Sequence, residues 1–406
     1  MTGSGLALRH QRTAFLLASG VSTAGSFAGL TAKGWILMAG TGHPLLLAVH
    51  FGALALPSLL VSGPAGVMVD RLGCAGVLAR AQWALLACGL LAALAIPLLQ
   101  GRLQVAVLLL SSLLAGIAST YELTARNKYT ALLVDSADQL GPYLASFSVV
   151  FNVGKLVGPP LGGWLVAVAG PALALAIDAA SFLMPIATLT WLLTPRQDRE
   201  QRSGSGSGTS LGAAWRSCGS GLRHVLRFTA IACGVSFFHP GLAPLIAARL
   251  VGPSPQALGW FTSVLAAGSI CGGVVLQRHS RWLAERPALL LGGSTTITAL
   301  AQLGMAVSPA AGFSLAMSFV IGLGTASLLA GANLIAQVGA PMPLRGRMAG
   351  LGQIAFLGGG GLSGVMAALL VMGLGVPATF ALLGSGGLAL GLQELWRRRR
   401  LRIRSA

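Results

Sequence analysis

Within long apolar runs of a 406-residue chain stand a handful of side chains that can hold a charge or a proton: Lys33, Glu122, Arg126, Lys155, Asp178 and His239. A charge at mid-bilayer costs about 2.5–3.5 kcal/mol on insertion scales, so each needs a partner or a role. Glu122 and Arg126 are four apart, a favourable helical pair. Their chemistry is either that of a solvated span end or that of a gate touching substrate. Lys155 lies three residues after Asn152, on one polar helix stripe, and suits an anionic substrate or a scaffold bond to a carbonyl or acid. His239 precedes Pro240, and because imidazole titrates near neutral pH when unperturbed, it is a possible proton site; the bland reading is a hydrogen-bonded core histidine. His, Asp and Glu do not cluster at one membrane face as covalent catalysis requires. The chemistry on offer is reversible charge and proton holding, so an enzyme, for instance a lipid-modifying transferase, fits poorly.

The elements that position these groups follow from composition. Hydrophobic residues make up 54% and charged residues 9%, with a mean hydropathy of +0.79, against about 25% charged in soluble domains. Runs of about 20 apolar residues predict twelve transmembrane helices, at 14–38, 44–67, 76–99, 104–125, 142–168, 171–193, 227–248, 256–276, 287–307, 311–336, 347–373 and 377–396. The chain is therefore read as an all-α membrane protein.

The excess of 27 basic over 9 acidic residues raises the question of nucleic acid. With the start of the chain placed inside, 23 of the 27 fall in inside segments, so the positive-inside rule puts both termini in the cytoplasm of a bacterial-type inner membrane. Basicity here encodes topology, and nucleic acid is not an expected partner. The tail WRRRRLRIR, 396–404, reads as an anchor to anionic lipid. Five cysteines without metal-ligand spacing predict neither a disulfide nor a metal site. A first run of about 25 residues followed by eleven more is not the pattern of a cleaved signal peptide.

Residues 196–226, charged and then Gly/Ser-rich, predict a flexible cytoplasmic linker between six-helix bundles at 1–195 and 227–406. An offset of about 205 residues pairs Phe151 with Phe356, Gly154 with Gly359 and Gly170 with Gly375, a weak internal repeat. In the fifth run Gly154, Gly158 and Gly162 share one face, a close-packing seam, and Pro159, on the polar stripe about 90° round, and Gly163 belong to the same helix-packing motif. Polar stripes on four helices predict a shared cavity: Ser19, Ser22, Ser26, Gly29 and Lys33 on the first; Ser112, Ser119, Glu122 and Arg126 on the fourth; Thr229, Ser236 and His239 on the seventh; Ser314, Ser318 and Thr325 on the tenth.

Twelve spans, a central loop and GVMVDRLG at 66–73 resemble the major facilitator superfamily, whose signature loop there is matched by Gly66, Asp70, Arg71 and Gly73. Cys74 and Ala75 stand where the family usually has two basic residues, and Ser26 where an acid often follows the span 1 glycine. The stretch GPPLGG is similar to the glycine-proline motif of the superfamily's antiporters, and Arg345, Gly346 and Arg347 resemble the matching loop before span 11. The run from Asn127 to Gly163 looks most like the transmembrane secretion effector branch, which includes enterobactin-exporter-like proteins.

The resemblance implies two pseudo-symmetric bundles, alternating access and gating by Asp70 and Arg71. It also implies that spans 1 and 6 pack together, and both Lys33 and Asp178 fall in the outer leaflet. They are expected to form an ion pair bordering the cavity, opened by protonation of Asp178 or by substrate; a permanent structural pair is the alternative. No G-x-x-x-x-G-K-[ST] signature occurs, so no nucleotide cofactor is expected and energy is expected from a proton gradient. The expected activity is efflux of a small amphipathic molecule such as a siderophore, antibiotic or secondary metabolite by a monomer, with uptake by the same fold as the alternative.

Overall fold

The computed structural model describes residues 8–134, 137–192, 215, 219–308, 310–338 and 345–404, and every described element is helical. Eleven stretches are long and apolar enough to cross a membrane. The last of them, Gly358–Arg397, has 40 residues. At about 1.5 Å per residue that is twice a bilayer core. Gly375 breaks it with φ +81°, a conformation open to glycine, so the stretch supplies spans 11 and 12. The chain is a twelve-span helical membrane protein.

In chain order the spans are 1 (Leu8–Thr41), 2 (Pro44–Ala55 and Pro57–Leu72), 3 (Cys74–Leu98), 4 (Gly101–Leu132), 5 (Ala137–Ala169) and 6 (Pro171–Ser181, continued to Leu192). Then come 7 (Ser220–Ser236 and His239–Leu250), 8 (Pro255–Arg278), 9 (Pro287–Val307), 10 (Ala311–Val338) and 11–12 (Arg345–Arg404). Of the expected linker, 196–214 and 216–218 lie outside the described residues, and helix begins at Ser220.

Two spans are broken by proline, which has no N–H to close the helical ladder. Pro57 follows the break in span 2, and Gly116 of span 4 makes room there: a Cβ on it would sit 2.6 Å from the carbonyl oxygens of Ala53 and Leu54. Pro240 removes the intrahelical donor for Ser236 O, and span 7 stops at Ser236 to restart at His239.

The chain divides into two compact units, one of Met1–Gly42, Ala53–Gly204 and Ser254–Gly259, the other of His43–Gly52, Ser205–Pro253 and Trp260–Ala406. In the first, Phe15, Val77, Leu78, Ala125, Tyr129 and Tyr143 form an apolar core among spans 1, 3, 4 and 5. In the second, Val225, Phe228, Cys233, Leu291 and Leu328 form one among spans 7, 9 and 10.

The span 5 seam packs on span 1. Cβ atoms on Gly154, Gly158 and Gly162 would collide with Thr23, with Ala24 O and Phe27, and with Ala28. Gly163 meets the backbone of Pro255, and Pro159 O faces Gly259, both inside the first unit. In the second unit Gly359 lies against Ala230 and Cys233 of span 7, so the residue paired with Gly154 by the internal repeat makes the equivalent contact. Gly158→Val is expected to prise spans 1 and 5 apart at a cost of about 1–3 kcal/mol. Gly273→Val, at a glycine with nothing within 4 Å, is the control. Thermal unfolding of the two purified variants checks the difference.

Candidate functional site

The first unit holds a cavity of about 280 Å³. Its walls are Ser19 and Thr23 of span 1, Leu123, Arg126, Asn127 and Thr130 of span 4, and Leu144, Phe147, Ser148, Val150 and Phe151 of span 5. Of the polar stripes, Ser19 of span 1 and Arg126 of span 4 reach this wall, beside Thr23, Asn127 and Thr130 from outside the stripes, while span 5 contributes a largely apolar and aromatic wall. Most hydroxyls of the stripes are spent on their own helices: Ser22 Oγ donates to Ser19 O, Ser26 Oγ to Ser22 O and Ser112 Oγ to Leu108 O. Ser22 is buried and Ser26 is exposed.

Among the described residues, Arg126 is the one charged side chain on the cavity wall. Its Nη1 lies 3.2 Å from Glu122 Oε1, one helical turn away, and the pair is buried, with side chains 16% and 11% exposed. Gln82 Nε2 of span 3 donates to the same carboxylate oxygen at 3.4 Å. Glu122 is thus enclosed between spans, not solvated at a span end. Two ionised groups out of water are stable only with such geometry and extra hydrogen bonds.

Asn152 donates through Nδ2 to Ser148 O, 2.9 Å away on its own helix. Lys155 follows Phe151 by one turn on the same face and is half-buried, with neither hydrogen bond nor ion pair among the described residues.

Lys33 and Asp178 form a second centre, 14 residues along span 1 from Ser19, or about 21 Å. They are 6% and 7% exposed and within electrostatic range of each other, yet they do not close into a direct ion pair. The expected contact is replaced for a packing reason. Gly25 and Gly29 open a notch in span 1, which Ser181 and the Asp178 carboxylate of span 6 enter. Asp178 is therefore seated against Gly29, one turn short of Lys33, and its Oδ1 has no hydrogen-bond partner among the described residues. Cys88 of span 3 also lies within electrostatic range of Lys33.

His239 belongs to the core of the second unit. It is 1% exposed, stacked on Phe238 with ring centroids 4.3 Å apart and tilted against Phe380 at 5.7 Å. Gln302 of span 9 explains how the break in span 7 is tolerated: its Nε2 donates to Ser236 O at 3.1 Å, replacing the donor that Pro240 lacks, and stands 3.4 Å from His239 Nε2. Gln302→Leu strips that carbonyl of its donor and is expected to cost about 1–3 kcal/mol, read as a lower unfolding temperature.

In the signature loop, Gly73 turns the chain between spans 2 and 3 with φ +79°. Asp70 Oδ1 accepts from Lys128 Nζ of span 4 at 3.0 Å, with Asp70 74% exposed and Lys128 40%. Such an exposed pair contributes at most about 1 kcal/mol, so it can open at little cost. Arg71 is exposed, and a Cβ on Gly66 would meet nothing within 4 Å. Arg345, Gly346 and Arg347 start the last helical stretch, and their side chains lie outside those described.

Gln82, Asn127 and Gln302 are absent from the sequence-level site. Gln82 and Gln302 are buried amides in apolar runs, and that is the signal that could have found them, since a buried amide must find a partner; Asn127, exposed between Arg126 and Lys128, carries no such signal.

Helices of this number, broken at prolines and repeated in two halves, are those of major facilitator transporters. A nucleoside transporter, NupG, matches with a TM-score of 0.71 over 95% of this chain and 98% of its own at 11% identity. A POT family transporter bound to 5-aminolevulinic acid matches with a TM-score of 0.73 over 95% of each chain at 12% identity. These likenesses establish the fold.

The chain belongs to the transmembrane secretion effector family, whose model matches residues 4–404. It is similar to the multidrug efflux pump Tap of Mycolicibacterium fortuitum, 27% identical over 398 residues, 91% of this chain and 92% of that one. Tap of Mycobacterium tuberculosis H37Rv is 24% identical over 404 residues, 93% of this chain and 91% of that one. The protein is a multi-pass membrane transporter and not an enzyme.

Proposed function

We propose that the protein exports small amphipathic molecules in exchange for protons, by alternating access of the half-chains 1–195 and 227–406 joined by the linker 196–226, as a monomer with both termini in the cytoplasm. The carrying observation is the 280 Å³ cavity, where Arg126, itself paired with Glu122 behind it, and the hydroxyl residues Ser19, Thr23 and Thr130 face a wall of Leu144, Phe147 and Phe151. A mixed lining of this kind suits a molecule with an apolar body and a polar head. Similarity to Tap supports the outward direction and drug-like substrates; siderophores and secondary metabolites share the same chemistry.

Asp178 is the proton carrier in this reading. Its carboxylate is buried, has an oxygen with no hydrogen-bond partner among the described residues, and lies near Lys33 without being locked to it. The Asp70–Lys128 pair, together with Arg71, controls closure at the end of the first unit where spans 2 and 4 finish, and Arg345, Gly346 and Arg347 take the matching role in the second unit. The test is accumulation of labelled amphiphiles in cells with and without the protein. Lower accumulation that a protonophore reverses is the expected result; higher accumulation in expressing cells would mean uptake.

A further inference from the structure

The charge inventory of the spans goes one step further and concerns which amphiphiles the cavity takes. Of nine acidic residues in the chain, only Glu122 and Asp178 stand well inside a span, while Asp70 and Glu394 lie near span ends. Each interior acid faces a base: Glu122 is held by Arg126 at 3.2 Å, and Asp178 lies within electrostatic range of Lys33. Lys155 is the interior base left over, half-buried and with no hydrogen bond or ion pair among the described residues.

An ammonium in that position is partly desolvated and has no counter-charge among the described residues. It sits one turn beyond Phe151, on the helix face that lines the cavity, where the other charged group is the Arg126 guanidinium. The Glu122 carboxylate is already engaged by Arg126 and Gln82. A cation entering the cavity therefore meets the Arg126 guanidinium on its wall, with Lys155 one turn beyond that wall and no unengaged acid among the described lining residues, whereas an anion supplies what Lys155 lacks.

We propose that the cavity selects amphiphiles carrying a negative charge, such as a carboxylate or sulfonate on an aromatic body, over organic cations of the same shape. The proposal rests on the cavity assigned above as the substrate site. Arg126 on the wall and Lys155, one turn beyond Phe151 on the same helix face, attract the anionic head, and Phe147 and Phe151 pack on the apolar body.

The test uses three naphthalene fluorophores of matched size, bearing a sulfonate, a neutral amide or a trimethylammonium group, titrated into the full-length protein in nanodiscs of zwitterionic lipid. The expected order is sulfonate, then amide, then trimethylammonium, with about tenfold or more between the extremes, the ratio equal to about 1.4 kcal/mol. Lys155→Gln, which leaves no buried acid unpaired, is expected to shrink that ratio to about threefold or less, and Lys155→Glu to reverse it. Equal or tighter binding of the trimethylammonium probe to the unmodified protein overturns the proposal, as does the absence of binding by all three. A sulfonate preference that Lys155→Gln leaves intact also overturns it.

If the variants fail to fold, the unmodified protein still decides, because the order of the three probes is read on it alone. Export of the same probes from cells separates the two levels. Sulfonate-selective binding without export of any probe overturns the transporter reading and not the charge preference. Export that favours the trimethylammonium probe overturns the charge preference and not the transporter reading.

Discussion

Asp178→Asn is expected to abolish proton-driven accumulation while leaving downhill movement of substrate in place. Asparagine has the size of the protonated acid and fits the same notch at Gly29, so folding is preserved. For one-to-one exchange, each pH unit of gradient supports about a tenfold substrate ratio, the equivalent of about 1.36 kcal/mol. In the variant that ratio should fall to about one at every gradient, because no proton can be loaded or released at position 178. Lys33→Met is expected to weaken the response to pH in the same assay, since it removes the base within electrostatic range of Asp178. Substrate accumulation at several imposed gradients, with the unmodified protein beside the variants, checks both. Unchanged ratios in both variants would show that the pair is structural.

Arg126→Gln should cause the largest loss of stability. It leaves the Glu122 carboxylate enclosed between spans 3 and 4 with only the long hydrogen bond from Gln82. Removing one partner of a buried pair costs about 3–5 kcal/mol, because the remaining charge is uncompensated. Glu122→Gln combined with Arg126→Gln removes both charges and should recover most of that loss, yet transport should stay low because the guanidinium on the cavity wall is gone. Thermal unfolding of the two variants, with transport measured beside it, separates the structural role of the pair from its part in binding. A single variant as stable as the unmodified protein would mean that Glu122 is solvated.

Most of the helical layout was legible in the sequence because hydropathy reports on the lipid-facing length of each span. The ends were less so. Span 1 was read as 14–38 and runs Leu8–Thr41, and span 7 was read from 227 and starts at Ser220, because helices continue past the apolar segment into polar turns that a hydropathy window does not register. The breaks in spans 2 and 7 follow from Pro57 and Pro240, but whether a proline bends a helix or interrupts it depends on who satisfies the freed carbonyl. For Ser236 O that is Gln302, 66 residues away.

Side-chain periodicity has a corresponding limit. It separates a polar face from an apolar one without telling which neighbour the polar face meets. The glycines of span 5 were legible as a seam, and their partner, span 1, was not. Ser19 and Arg126 reach a cavity, whereas His239, on an equally polar stripe, is stacked between Phe238 and Phe380. Lys33 and Asp178 were legible as a related pair, while the Gly29 notch that keeps them from closing depends on how spans 1 and 6 pack.

Proton exchange is the central claim, and it is tested most directly with purified protein in sealed vesicles under an imposed pH gradient, following an amphipathic fluorophore and internal pH together. Uphill accumulation that appears only with the gradient, reverses when the gradient is reversed and dissipates it as substrate moves is the predicted result. Fluorophore movement indifferent to the gradient, with no accompanying change in internal pH, would contradict it.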